Sequence, residues 1–297
     1  MKTSTQLKAL IRNLAKEKNI EAQIILRNYM LERLLERISV SKYKDNFILK
    51  GGMLIAAMVG LDTRSTMDMD TTLKGQSLTE HTVRPIITDI LQTPVDDDVI
   101  MTLKDIEDIH DEADYPGLHV TIETLLDKTR QVLKVDITTG DSITPREINY
   151  QFKLLFEDKT IEVKAYNLET VLAEKLETVL SRSTANTRMR DFYDIYILTT
   201  FQAQNIDKAV LTEAFRKTIE RRGTDYLLEN DIAQALDMIK SSTIMQELWG
   251  RYQKRFSYAE DISWETVMNA TSNVLTREMP IHNSDQEQND EIGMSLN

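Results

Sequence analysis

The chain contains no cysteine. Disulfides, zinc–thiolate centres and thiol nucleophiles are therefore excluded, and a reducing compartment suits the protein. Histidine is scarce. His81, His110, His119 and His282 share no short spacing, which argues against a histidine-built metal centre or a Ser-His-Asp triad. Positive charge is in deficit, with 36 Lys and Arg against 48 Asp and Glu and a net charge of −12. That balance argues against a protein coating nucleic acid or anionic membrane over its whole surface, while leaving room for a local basic patch. No apolar run approaches the length of a membrane span. The opening "MKTSTQLKALIRNLAKEKN" lacks the apolar core of a signal peptide. A soluble cytoplasmic protein with no membrane partner is expected, and carboxylates are left as its chemical groups.

The 297 residues suggest two domains, or one with a helical extension. Residues 5–18 and 20–39 read as amphipathic helices, the second through Ile24, Leu31, Leu35 and Ile38 at helical spacing. "NFILK" reads as a short strand, "GGMLIAAMVG" as a glycine turn opening a helix that closes at Gly60, and "MDMDTTL" as a second strand. A helix is expected over 79–92 and a solvated acidic face or loop over 94–114. Strands follow in "LHVTIETLL", "QVLKVDITTG" and "FEDKTIEVKAY", the first two separated by a turn at Asp127-Lys128. From Asn167, a good helix N-cap, the pattern turns wholly helical, with Leu168, Leu172, Leu176, Val179 and Leu180 in one stripe. Further helices are read in "RDFYDIYILTTF" and over 208–222, 229–240, 243–255 and 263–275. The expected layout is a mixed α+β domain over 1–166 that includes the N-terminal helices 5–39, a helical bundle over 167–278, and a disordered tail over 279–297.

Two features in this layout carry chemistry. Gly51-Gly52 lets backbone N–H groups turn toward a phosphate, and the helix N-terminus behind it adds partial positive charge. A tight strand-to-helix turn is the plainer reading. Asp68 and Asp70 stand at i and i+2, so on a strand they face one way and their carboxylates converge, an arrangement that a cation such as Mg²⁺ relieves. Alone, the pair also fits a solvent-facing strand edge. The order strand, Gly-Gly, helix, Asp-x-Asp strand favours a triphosphate held at the turn beside a metal. Asp136 lies on the polar face of "LKVDITTGD" with Lys134 and Thr138, opposite Leu133, Val135 and Ile137. It either joins the two aspartates or pairs with a lysine, and Asp141 is the weaker substitute. In the helical half, Lys175 and Arg182 lie on nearly one side of a helix and meet either a triphosphate or solvent. Asp191 and Asp194 share a helix face, where Arg190 and Asp194 can also form an i, i+4 pair.

"FILKGGMLIAAMVG…STMDMD" resembles the glycine turn and Asp-x-Asp of DNA polymerase β-like nucleotidyltransferases. With "DEADYPGLHV", "LKVDITTGDSITP", "VLAEKLETVLSR" and "RMRDFYDIYIL", it is similar to the AbiEii-type toxins of type IV toxin–antitoxin, abortive-infection systems, over roughly residues 22 to 200. The family's motifs map onto Gly51-Gly52 with Asp68 and Asp70, onto Lys134 and Asp136, onto Lys175, and onto Asp191 with Asp194. The chain departs from the family where a Gly-Ser becomes Gly-Gly and "SEDLDF" becomes "STMDMD". The resemblance implies nucleotidyl transfer from a nucleoside triphosphate, GTP favoured, to an acceptor of the tRNA or RNA kind, and a DNA-binding antitoxin that need not touch the toxin. The expected metal ligands for Mg²⁺ or Mn²⁺ are Asp68, Asp70 and Asp136. The expected nucleotide contacts are Lys50, Gly51, Gly52, Lys175, Arg182 and Asp194. Asp136 is the expected base, and Asp191 either orients Lys175 or Arg182 or acts as base in its place. Two other readings use the same residues: a GTP-binding module without transfer, and nucleotidylation of a protein hydroxyl. For an RNA acceptor, "FRKTIERRG", "RYQKRF" and Arg182, Arg188 and Arg190 offer local phosphate contacts.

Overall fold

The computed structural model describes residues 4–109 and 117–279. His110, His282 and most of "DEADYPG" lie outside the described residues. Of the expected tail only Met279 is described, and it is buried. The chain forms two compact units, one running to Val171 and including Thr200–Asn205, the other comprising Leu172–Thr199 and the residues from Ile206 on. Among the described residues no helix is long and apolar enough to cross a membrane.

The first unit opens with helices α1 (Ser4–Lys18) and α2 (Ala22–Val40). Then come β1 (Phe47–Lys50), α3 (Gly51–Val59), β2 (Met69–Leu73) and α4 (Glu80–Gln92). Strands β3 (Ile100–Asp108), β4 (Gly117–Leu126), β5 (Thr129–Thr138), β6 (Ile148–Lys153) and β7 (Thr160–Ala165) complete it. All seven strands form one mixed sheet in the order β3-β4-β5-β2-β1-β7-β6. β2 runs parallel to β5 and β1 parallel to β7, while β1–β2, β3–β4, β4–β5 and β6–β7 are antiparallel. The fold is α+β. Leu118, Val120 and Ile122 of β4 and Leu133, Val135 and Ile137 of β5 are buried, and α2 packs against β5 and β7. The pleat therefore turns His119, Lys134, Asp136 and Thr138 to the other face.

Strand β3 occupies the acidic stretch read as loop or solvated face. Its alternation is broken by a register shift between Leu103 and Asp105, so its buried residues, Met101 and Ile106, stand an odd number of positions apart. It is also an edge strand, where outward acids discourage pairing with other chains.

Helix α2 is more than amphipathic. From Asn28 to Ile38 every residue is buried, charges included. Arg37 makes a two-pronged pair with Asp97 at 2.7 and 2.8 Å, and Arg33 meets Glu36 and Glu157, each at 2.9 Å. Glu32 accepts from the Leu155 N–H at 3.0 Å. Burial pushes the Glu32 carboxyl up to about 8, against that hydrogen bond and the charge of Arg33. A group whose proton affinity is raised by folding withdraws stability as pH climbs from its ordinary 4.5 through about 8. Glu32→Gln keeps an acceptor for Leu155 and cannot ionise. Its melting temperature relative to wild type is expected to rise between pH 5 and pH 8, as read by thermal denaturation at both pH values.

The second unit is helical. It contains most of α5 (Leu168–Arg182), α6 (Met189–Phe201) up to Thr199, α7 (Lys208–Arg222), α8 (Tyr226–Glu229), α9 (Ile232–Ser241), α10 (Thr243–Arg255) and α11 (Trp264–Asn273). Its core gathers Leu176, Val179, Phe192, Tyr193, Phe215, Ile219, Trp249 and Val267.

Candidate active site

Strand β1 ends at Lys50, and the chain turns at once into α3. Gly51 makes that turn with φ +65°, a conformation that L side chains rarely adopt. A Cβ there would also collide with the Asp70 carboxylate. The next residue, Gly52, donates its N–H to Asp70 Oδ2 at 3.3 Å. Gly52 in turn lies against Thr66 and the fully buried Arg64, in the loop that leads into β2. That loop is fixed from α2, where Asn28 Nδ2 donates to the Thr66 carbonyl at 2.9 Å, and Thr66 Oγ1 donates to the Asp68 carbonyl at 3.1 Å. The diglycine is thus both a tight turn and the floor on which Asp70 rests. Gly51→Ala is expected to cost about 1–2 kcal/mol of stability from the left-handed backbone alone. Displacing Asp70 by an ångström is expected to lower transfer by roughly 10²-fold. A melting curve and a turnover assay check the two effects separately.

Sheet register brings the chemistry into a row. Asp70 of β2 is directly opposite Asp136 of β5 and opposite Lys50 of β1, and Asp136 is opposite His119 of β4. His119, Asp136, Asp70 and Lys50 therefore stand side by side across four neighbouring strands on one face. Asp68 precedes β2, which begins at Met69, so the bend before the strand sets its position. Its charge still reaches Asp136. Burial raises the Asp136 carboxyl above the usual carboxylate range, the hydrogen bond from His119 opposes this, and the charges of Asp70 and Asp68 raise it further. The partner of Asp136 is a histidine, with His119 Nδ1 at 2.5 Å from Oδ1.

Lys50, expected at the nucleotide, has its ammonium committed to Asp141 Oδ2 at 2.7 Å and Thr138 Oγ1 at 2.7 Å, and it lies 5.5 Å from the Tyr166 ring centroid. Asp141 Oδ2 also accepts from Thr72 Oγ1 at 2.5 Å, Thr138 Oγ1 at 2.8 Å and Tyr166 OH at 2.9 Å. Burial alone would raise this carboxyl. The Lys50 charge and the hydrogen bonds from Lys50, Thr72 and Thr138 outweigh it and hold the group down to about 2.

In the second unit Lys175 Nζ sits 2.5 Å from Asp191 Oδ1 and 3.2 Å from Asp194 Oδ2. Asp194 is fully buried, and Asp191 Oδ2 is buried without a hydrogen-bond partner. Arg182 ends α5 half-buried.

His119, Thr72, Thr138 and Tyr166 were not singled out in the sequence, and Asp141 only as a weaker substitute. One signal was there for His119. A two-residue turn at Asp127-Lys128 sets Leu126 opposite Thr129, and counting back along both strands sets His119 opposite Asp136.

The first unit thus presents a glycine turn opening a helix beside carboxylates on adjacent strands of a mixed sheet. The profile of the nucleotidyl transferase AbiEii toxin family, of type IV toxin–antitoxin systems, matches residues 33–270, and the chain belongs to that family. The match runs further into the helical half than the motifs read in the sequence. Among curated proteins none matches. Among solved structures the chain is similar to JHP933 from Helicobacter pylori, with 13% identity over 93% of this chain and 98% of that one and a TM-score of 0.48. It is also similar to an antigenic nucleotidyltransferase-like protein from Paracoccidioides brasiliensis, with 16% identity over 70% of this chain and 93% of that one and a TM-score of 0.36.

Proposed function

We propose that the protein is a metal-dependent nucleotidyltransferase that takes a nucleoside triphosphate, GTP favoured, and attaches its nucleotidyl group to an RNA acceptor of the tRNA kind. The observation that carries this reading is the facing of Asp70 and Asp136 in register, with Gly52 N–H on Asp70. GTP and the RNA acceptor rest on the family resemblance.

Among the described residues no three His, Cys, Asp or Glu side chains form a ready-made metal cage. A magnesium-type ion does not need one, because it keeps several waters, takes one or two carboxylates and completes its shell with substrate phosphates. Asp70 and Asp136 meet that demand with oxygen donors, and Asp68 adds charge. Behind burial, and against His119, the charges of Asp70 and Asp68 push the Asp136 carboxyl up, so negative charge converges on it. These residues fit Mg²⁺ or Mn²⁺, and Asp68, Asp70 and Asp136 would hold it. The ion, when bound, neutralises charge building on the phosphates.

The first turn of α3 offers the triphosphate partial positive charge and N–H groups other than that of Gly52, which Asp70 takes. Asp136 accepts the proton of the acceptor hydroxyl, whose oxygen bonds to the α-phosphorus as pyrophosphate leaves. In the second unit, Lys175, held by Asp191 and Asp194, and Arg182 are kept as functional residues on the family resemblance. Of the basic residues read for RNA contact, Arg222 is committed to the buried Glu177. Lys254 and Arg255, at the end of α10, are exposed.

The test is incubation with each of four labelled nucleoside triphosphates and total cellular RNA and protein, followed by mass analysis of the products. A nucleotidyl adduct on RNA supports the proposal. An adduct on protein replaces the acceptor, and label lost entirely on denaturation reduces the protein to a nucleotide binder. Acceptor binding that weakens steeply with salt is expected for RNA.

A further inference from the structure

We infer that His119 is a positioning residue that fixes Asp136 so that one carboxylate oxygen is held by the protein and the other is left for the cation. The inference rests on the reading of Asp136 as a cation-holding carboxylate.

The argument starts from the order of the strands. β5 lies between β4 and β2, so Asp136 has His119 on one flank and Asp70 on the other, all three in one register row. Asp70 and Asp68 repel an ionised Asp136. Unrestrained, a short carboxylate with free χ angles would turn away from them and out of any shared site. The imidazole prevents that, holding Oδ1 from the β4 side at 2.5 Å. His119 is itself well fixed. Its strand neighbours Leu118 and Val120 are buried in the core, and its side chain is only 24% exposed. The same division is made at Asp70, whose Oδ2 accepts from Gly52 N. Each of the two facing carboxylates thus has one oxygen anchored to the protein by a donor from a different element. Anchoring of this kind, outside the ligand atoms themselves, commonly changes metal affinity or activity by about 10–100-fold. The role is geometric and needs a proton on Nδ1, as the imidazolium or the Nδ1–H tautomer carries it.

The test uses the full chain with His119→Ala, His119→Phe, which keeps ring bulk without a donor, and His119→Asn, whose amide Nδ2 can take the place of Nδ1. Asp136→Asn is the reference. Mn²⁺ binding is measured by electron paramagnetic resonance on the protein without substrate, and kcat and KM for the nucleotide are measured separately. His119→Ala and His119→Phe are expected to weaken Mn²⁺ binding and lower kcat by about 10–100-fold, and His119→Asn to recover most of both. At saturating Mn²⁺ the KM for the nucleotide is expected to stay within about two-fold, and at limiting Mn²⁺ it is expected to rise, because the ion takes substrate phosphates into its shell. The proposal is overturned if either donor-less variant binds Mn²⁺ as wild type does, or if His119→Asn is no better than His119→Ala. Should Asp136→Asn bind Mn²⁺ as wild type does, the reading of Asp136 fails, whatever the histidine variants do. If Asp136→Asn loses the ion and His119→Ala keeps it, only the positioning role fails.

Discussion

Asp70→Asn is expected to leave a folded protein whose nucleotidyl transfer has dropped by roughly 10³-fold, the scale of losing a principal electrostatic stabiliser of a transition state. The fold survives because the change is nearly isosteric. An asparagine Oδ1 can still accept the Gly52 N–H that Asp70 accepts at 3.3 Å. The backbone pairing with Lys50 on one side and Asp136 on the other does not depend on the side chain. The activity is lost because charge is. With Asp70 neutral, the row keeps one central carboxylate in place of two, too few to counter a cation beside a triphosphate. Stability should not fall and is expected to rise slightly, since Asp70 is one of the charges that repel Asp136. Calorimetric melting and a single-turnover assay with labelled nucleotide read the two quantities independently. Full activity in a folded Asp70→Asn protein would remove the ground for the metal assignment.

How much of this was readable from the chain depends on how local each feature is. The diglycine turn and the polar face of β5 are properties of a few consecutive residues, governed by glycine's freedom and the two-residue pleat, and both are present as expected. Strand β3 escaped because its bulge between Leu103 and Asp105 cancels the alternation by which strands are recognised. The buried charges of α2 escaped because their partners, Asp97 and Glu157, lie about 60 and 124 positions away in sequence. Composition, by contrast, carries no signal for His119. Four unclustered histidines spoke against a histidine metal centre, and the one that matters acts on a carboxylate, through a partner 17 positions away. Only the geometry of the hairpin turn connects the two.

Asp141 is the clearest case of a residue whose meaning is set entirely by the fold, and its replacement has the largest expected effect on stability. It is an ionised carboxylate, 6% exposed at the side chain, with four donors on one oxygen and Lys50, 14% exposed, as its counter-charge. Asp141→Asn leaves the Lys50 ammonium buried without its charge partner. Breaking a buried pair on one side costs about 3–5 kcal/mol, and a melting temperature lower by on the order of 10 °C is expected. Adding Lys50→Met to Asp141→Asn should recover part of that loss, because no unpaired charge then remains. The pH dependence follows from the same geometry. Folding depresses this group from its ordinary 3.8 to about 2, so its contribution is complete above 3.8 and is lost as pH falls through about 2. A shift of that size corresponds to about 2 kcal/mol. Acid titration of stability should therefore show a component in that window in wild type that is missing in Asp141→Asn. Activity is expected to fall as well, by roughly ten-fold, the effect of about 1.4 kcal/mol at the transition state. Lys50 stands opposite Asp70 in register, and once released from Asp141 its ammonium has that carboxylate as a competing partner. Lys50→Met/Asp141→Asn removes the competing cation, so its activity should exceed that of Asp141→Asn alone. An Asp141→Asn protein that melts as wild type does, with an unchanged acid profile, would show that the pair supports neither the sheet nor the row of side chains in front of it.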